Sequence, residues 1–382
     1  MLDLLPDSIL YNIFNIVKKE YPLGFYSLRC TNKKNYNICN ETVKEITFIS
    51  SEIDNLLKFP RLTSLSFRRL NSGIDIIPNQ ITKLDLSFSI LLKKDVHNLQ
   101  RLVNLYHLNL MYCKSITDDA IKIICKMNSI TELLLGYSGI TNDGLINVAS
   151  MINLQLLDIN GHSIIDHIGY NHLSSLTNLQ HLYMANNNIN DNGFMFIDKL
   201  LKLETLNIRY CNIGNIGNFE SIKDTGFKLL TNLPLTTLNL QKIVTFSSDE
   251  LRYLPLTLKK LDLGCNIQLH SDFMIYIQRL TNLEELNLNH CYLNDNGLKN
   301  IVNLKKLKYL NLENNIITNY SINTLLSLQN LIHLNIALND FYHIEYLMVL
   351  GKLKYLNVHG CHIHFTVLEK CRLLRPHCRI VI

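Results

Sequence analysis

The chain has 382 residues, a net charge of +5, and 18% charged against 47% hydrophobic residues. So much aliphatic surface excludes disorder as the main state. So mild a charge, with basic clusters no longer than Arg68-Arg69, Lys93-Lys94 and Lys305-Lys306, gives no basic stripe for nucleic acid.

The first 42 residues differ in pattern from the rest of the chain. In Leu5-Pro6-Asp7-Ser8-Ile9-Leu10-Tyr11-Asn12-Ile13-Phe14-Asn15-Ile16-Val17, the residues Ile9, Leu10, Ile13, Phe14 and Val17 form one apolar face at helical spacing. Pro6 suits a helix start. A second apolar stretch runs from Leu23 to Cys30 and contains Leu28. No basic n-region precedes a long apolar run, so no signal peptide is expected. No apolar run approaches the ~18 residues of a membrane span, so no membrane partner is expected. The ten cysteines lack a small-domain disulfide spacing, which suits reduced thiols in cytoplasm or nucleus.

From residue 43 onward one pattern, L-x-x-L-x-L, recurs. It starts at Val43, Leu62, Ile81, Leu105, Ile130, Leu154, Leu179, Leu203, Leu235, Leu258, Leu283, Leu307, Leu331 and Leu353, at spacings of 19 to 32 residues. This is the signature of the leucine-rich repeat. It also accounts for the bias toward Leu (71 residues), Asn (47) and Ile (44). In the unit beginning at Leu283, Leu286 and Leu288 point inward from a short strand while Asn287 points to the open face. Asn294-Asp295 reads as a helix cap, and the spacing predicts a short helix from about Gly297 to Val302 on the other side. One unit cannot bury its own aliphatic face, so neighbours supply the core.

Three columns emerge from the register. Four residues after each start the chain mostly carries Asn or Asp, read as solubilising the open face. Eight residues after, Asn and Cys dominate. Their side chains can bond turn backbone from unit to unit, which makes Cys113, Cys211, Cys291 and Cys361 structural. Seven residues after stand Arg69, Phe88, Tyr112, Tyr137, Gly161, Asn186, Tyr210 and Lys242. Aromatics and Arg dominate interface energies. The candidate target-binding residues are therefore Arg69, Phe88, Met111, Tyr112, Tyr137, His181, Tyr183, Arg209 and Tyr210. The unit starting at Leu203 carries an extra stretch, Gly214 to Ser221, at a strand edge, where insertions in repeats often serve binding.

His359, Cys361, His362, His364, Cys371, His377 and Cys378 gather near the C-terminus. Cys361 belongs to the structural column and His359 to the open face, so a closing cap is the better reading than zinc. No phosphate loop, dinucleotide fingerprint, zinc-protease motif or nucleophile elbow is present, so no enzyme and no cofactor are expected.

The columnar cysteines, with the continuation Cys113-Lys-Ser-Ile116-Thr117-Asp118, resemble the cysteine-containing leucine-rich repeats of F-box/LRR proteins. The N-terminal segment resembles the F-box itself: Leu5, Pro6, Ile9, Leu10, Ile13, Phe14 and Val17 match its L-P-x-E-I/L-L-x-x-I-F-x-x-L pattern, and Leu28 and Cys30 its second part. Ser8, Pro22, Arg29 and Lys33 stand where that family has acidic, acidic, Val and Trp residues. The resemblance implies a substrate-recognition subunit of an SCF-type ubiquitin ligase. Leu5, Pro6, Ile9, Leu10, Ile13, Phe14, Val17 and Leu28 would bind a Skp-type adaptor and so reach the cullin complex, while the repeats hold an unknown target protein. The other reading is a stand-alone repeat scaffold or inhibitor with residues 1–42 as a helical cap. F-box/LRR proteins of amoebae, and of the giant DNA viruses that infect them, share the Asn, Ile and Lys richness; a viral origin implies action in the host cytoplasm. The expected architecture is α/β: a leucine-rich-repeat solenoid, a horseshoe of about 13–14 repeats, over 43–382 including a C-terminal cap, behind an F-box-like helical segment at 1–42.

Overall fold

A computed structural model describes residues 44–48, 56, 59–67, 69–70, 73–211, 226–243, 247–269 and 271–382. The F-box-like segment, residues 1–42, and the inserted stretch, residues 214–221, lie outside the described residues. The chain divides into two compact units, Met1–Ile140 and Thr141–Ile382.

In the first unit five strands pair in parallel and in sequence order: β1 (Glu45–Phe48), β2 (Ser64–Phe67), β3 (Lys83–Asp85), β4 (His107–Asn109) and β5 (Glu132–Leu134). The second unit holds β6 (Leu156–Asp158), β7 (His181–Tyr183), β8 (Thr205–Asn207), β9 (Thr237–Asn239), β10 (Lys260–Asp262), β11 (Glu285–Asn287), β12 (Tyr309–Asn311), β13 (His333–Asn335), β14 (Tyr355–Asn357) and β15 (Arg379–Val381). These too are parallel, each beside its sequence neighbours.

The strands are only three or four residues long because the corner leucines of each repeat turn the chain away. Their register keeps each column aligned: Leu286 faces Leu310 and Asn287 faces Asn311. Leu283, Leu286, Leu288 and Leu293 are all at most 2% exposed. Burying such a side chain stabilises by about 1.5–3 kcal/mol, and each repeat contributes several.

The return segments are short α-helices or 3-10 turns. After β11, Asp295–Leu298 is α-helical and Lys299–Asn303 is 3-10. The helix predicted over 297–302 thus begins two residues earlier and tightens halfway. Its cap is Asn294, whose Oδ1 accepts from the Gly297 N–H at 3.0 Å. Gly297 is required there: a Cβ would lie 2.6 Å from Ser271 Cβ and 2.8 Å from Ser271 O in the preceding repeat. The chain closes with a helix, Phe365–Leu374, and β15. The Arg375 guanidinium ties this end to the preceding repeat through the carbonyls of Met348 (3.0 Å) and Leu350 (2.8 Å).

Candidate functional site

In most repeats the turn after the strand is held at three positions. At the fourth position an Asn or Asp carboxamide or carboxylate oxygen accepts from the backbone N–H two residues on. The pattern runs from Asp85 (Ser87 N–H, 2.8 Å) through Asn311 (Glu313 N–H, 3.0 Å) to Asn357 (His359 N–H, 3.1 Å). This corrects the reading of the column as merely solubilising, since Asn and Asp make this bond and most residues cannot.

At the eighth position the side chains are tucked under the turn. Asn315 Nδ2 donates to Leu288 O (2.9 Å) and Leu312 O (2.8 Å), and its Oδ1 accepts from the N–H groups of Cys291 (3.1 Å) and Leu293 (2.9 Å). The cysteines do less: Cys113, Cys211, Cys291 and Cys361 each reach one carbonyl of the preceding repeat, at 3.0 to 3.2 Å. Burial pushes the thiols up, to about 11 for Cys113 and about 12 for Cys211 and Cys291. They are therefore poor nucleophiles at neutral pH.

At the seventh position the backbone is left-handed in every repeat from Arg69 (φ 67°) to Gly360 (φ 70°). There the residue's N–H still bonds the next repeat, as Tyr112 does to Gly136 O at 2.8 Å, while its side chain is thrown outward. For a bulky aromatic this is an uncommon conformation.

Within the first unit, Phe88, Tyr112 and Tyr137 occupy that position in consecutive repeats. They stack face to face at 4.5 Å and 4.7 Å, within 4° of parallel. Phe88 is 52% and Tyr112 40% exposed. Met111 is half-buried next to Tyr112, and Arg69 is exposed two repeats before it. Within the second unit, Tyr210 is flanked by the Arg209 guanidinium at 5.9 Å and the Lys242 ammonium at 5.3 Å. His181 and Tyr183 lie half-buried on β7. Burial, and Asp158 on β6, raise the Tyr183 hydroxyl above its ordinary value. The Asp158 carboxyl is itself pushed up to about 6 by burial, against the pull of the Asn160 N–H. The nine candidate target-binding residues thus fall into one group in each unit. Phe88, Tyr112, Tyr137 and Tyr210 stand on the turns, while His181 and Tyr183 stand on the sheet.

A second aromatic row, at the second position of the last repeats, escaped the sequence reading. Tyr309 stacks on His333 (4.3 Å, 9°), and His333 meets Tyr355 at 5.6 Å. The signal was the recurrence of an aromatic or His two residues after the starts Leu307, Leu331 and Leu353. The row walls an open groove of about 510 Å³ running from Thr237 to Tyr355 across β9–β14. Lys260 and Glu285 pair in it at 2.7 Å. Among the described residues no group of three His, Cys, Asp or Glu side chains is placed to hold a metal ion. Nor is any helix there long and apolar enough to cross a membrane.

The family model described as Leucine Rich repeat matches residues 175–197, 199–217 and 279–302. The chain folds as a leucine-rich-repeat solenoid. Its solenoid is similar to an internalin of Listeria monocytogenes, with a TM-score of 0.55 and 18% identity over 93% of this chain and 95% of that one. A leucine-rich-repeat protein of Leptospira interrogans gives 0.53 and 17% over 94% of each chain. The functional domain of InlJ of Listeria monocytogenes, which includes a cysteine ladder, gives 0.51 and 16% over 92% of this chain and 70% of that one. At these identities the likeness concerns the fold. No curated protein matches the leucine-rich-repeat chain by sequence.

Proposed function

We propose that this leucine-rich-repeat chain is a non-catalytic protein-recognition subunit whose repeats hold a target protein. The observation that carries the reading is the stack Phe88–Tyr112–Tyr137, exposed at Phe88 and Tyr112. Three large rings held on left-handed turns offer rigid contact area that loses little side-chain entropy on binding, and aromatics are the commonest anchors of interfaces. Met111 extends that anchor, and Arg69 adds a cation two repeats before it. Tyr210 with Arg209, beside His181 and Tyr183, forms a second anchor.

The finer reading is a substrate receptor of an SCF-type ubiquitin ligase. It rests on the resemblance of Leu5, Pro6, Ile9, Leu10, Ile13, Phe14, Val17 and Leu28 to an F-box. The mechanism is proximity. A target bound to the repeats and an adaptor bound to residues 1–42 share one chain, so target lysines gain effective concentration at the ubiquitin-conjugating enzyme. The site of action would be cytoplasm or nucleus, or host cytoplasm for a viral chain. A stand-alone scaffold capped by residues 1–42 is the alternative, favoured by the confinement of the family-model matches to the repeats.

The test of target recognition uses full-length chain carrying Phe88→Ala, Tyr112→Ala and Tyr137→Ala together. A partner recovered with the natural chain, identified and purified, should bind the triple variant at least about 30-fold more weakly, as for the loss of a hot-spot cluster. Unchanged affinity with unchanged thermal stability would contradict the assignment of this surface.

A further inference from the structure

We infer that the groove across β9–β14 is a docking site for a basic, arginine- or lysine-bearing extended segment of a partner protein. It rests on the protein-recognition reading but on neither the F-box nor the Phe88 stack.

Charge sets this groove apart. The chain as a whole is basic, at +5, yet the open face of β10–β14 has the opposite sign. Its strands, with the two residues after each, set one lysine, Lys260, against three carboxylates: Asp262, Glu285 and Glu313. Lys242, on the turn after β9, lies over the Tyr210 ring instead. Lys260 is taken by Glu285 at 2.7 Å. Glu313 has an amide partner, Asn335 Nδ2 at 2.9 Å. Asp262 accepts from the Gly264 N–H at 2.9 Å and from Asn287 Nδ2 at 3.0 Å. Neither Glu313 nor Asp262 makes an ion pair among the described residues. Burial raises the Asp262 carboxyl above its ordinary value, opposed by those hydrogen bonds and by the charge of Arg209 on the β8 turn. An incoming cation would lower it again.

The aromatic row supplies the other half. Tyr309, His333 and Tyr355 line the same groove as Asp262 and Glu285, and Glu313 stands at its edge, bonded to the lining residue Asn335. Carboxylate and tyrosine together are the chemistry that holds guanidinium and ammonium groups. The floor orients the main chain of such a segment. Because Asn311 Oδ1 is engaged by the Glu313 N–H, the other end of that amide is its NH2 group, a donor suited to a peptide carbonyl. An acidic segment or a phosphate backbone would meet uncompensated carboxylates.

The experiment measures fluorescence anisotropy of full-length chain with three labelled nonapeptides of Gly and Ser bearing three Arg, three Gln or three Glu. The Arg peptide should bind, weakening as salt rises, and the Gln and Glu peptides should bind at least about tenfold more weakly. Asp262→Asn with Glu313→Gln should reduce Arg-peptide affinity about fivefold or more. These changes suit their places, since Asn fills the Asp262 column in neighbouring repeats and Gln keeps the Asn335 bond. Tyr309→Ala should weaken binding similarly, and the exposed-helix change Glu369→Gln should leave it unchanged. Equal binding of the three peptides, no Arg-peptide binding up to about 1 mM, or indifference to the groove substitutions would overturn the inference. None of these outcomes would alter the target test on Phe88, Tyr112 and Tyr137.

Discussion

Asn315 shows what one residue does in this fold. Its amide satisfies two N–H groups and two carbonyls buried in the turn. Asn315→Ala should lower stability by about 3 kcal/mol in urea unfolding, since each abandoned buried group costs about 1–3 kcal/mol. Asn296→Ala on the exposed helix should stay within about 0.5 kcal/mol. Asp158 gives a pH signature. Its folded value of about 6 lies above the ordinary 3.8. The stability it contributes is therefore full below about 4 and lost as pH rises through 6. Relative to the natural chain, Asp158→Asn should gain about 2 kcal/mol between pH 4 and pH 7.5; a flat difference would contradict the burial assigned to this carboxyl. The raised thiols of Cys113, Cys211 and Cys291 should resist iodoacetamide at pH 8 until the chain unfolds, read by mass spectrometry. The eighth column was legible because small polar residues at a fixed offset can serve only one kind of place. The left-handed seventh column was not, because Phe, Tyr and Arg there contradict local propensity. Only Gly161, Gly360, Asn186 and Asn314 in the same column hinted at it.

At the scale of elements, strands were easier to read than helices. Leu286 and Leu288 alternate with Asn287, and that alternation fixes a strand and its facing. The return segments carry too few residues for a helical period, so Asp295–Asn303 reads as a helix but divides into α and 3-10 pieces. Close stacking of neighbouring return segments leaves no room for a Cβ at Gly297. It makes Gly297→Ala destabilising, by about 1–3 kcal/mol, although Ala is the better helix former. Thermal unfolding would detect it, and a stabilised variant would contradict the packing against Ser271. The Tyr309–His333–Tyr355 row was harder to see, because a mixture of Tyr and His at one offset does not look like a column. Its neighbours, Lys260 and Glu285, look like ordinary surface charge until the strands bring them beside it.

For the whole molecule, the proposed function gives the repeats the task of holding a target and the N-terminal segment the task of recruiting an adaptor. In that proposal, residues 1–42 bring a Skp-type adaptor to a target held by the repeats. The most direct measurement is calorimetric titration of full-length chain with purified Skp adaptor, beside Leu10→Ala/Ile13→Ala. The spacing predicts both on one apolar face, in the positions that resemble the F-box pattern. Saturable one-to-one binding is expected, weakened at least about 100-fold by the double variant, as for two buried anchors. Absence of binding by folded full-length chain would contradict the claim and leave a capped scaffold whose work ends at the target.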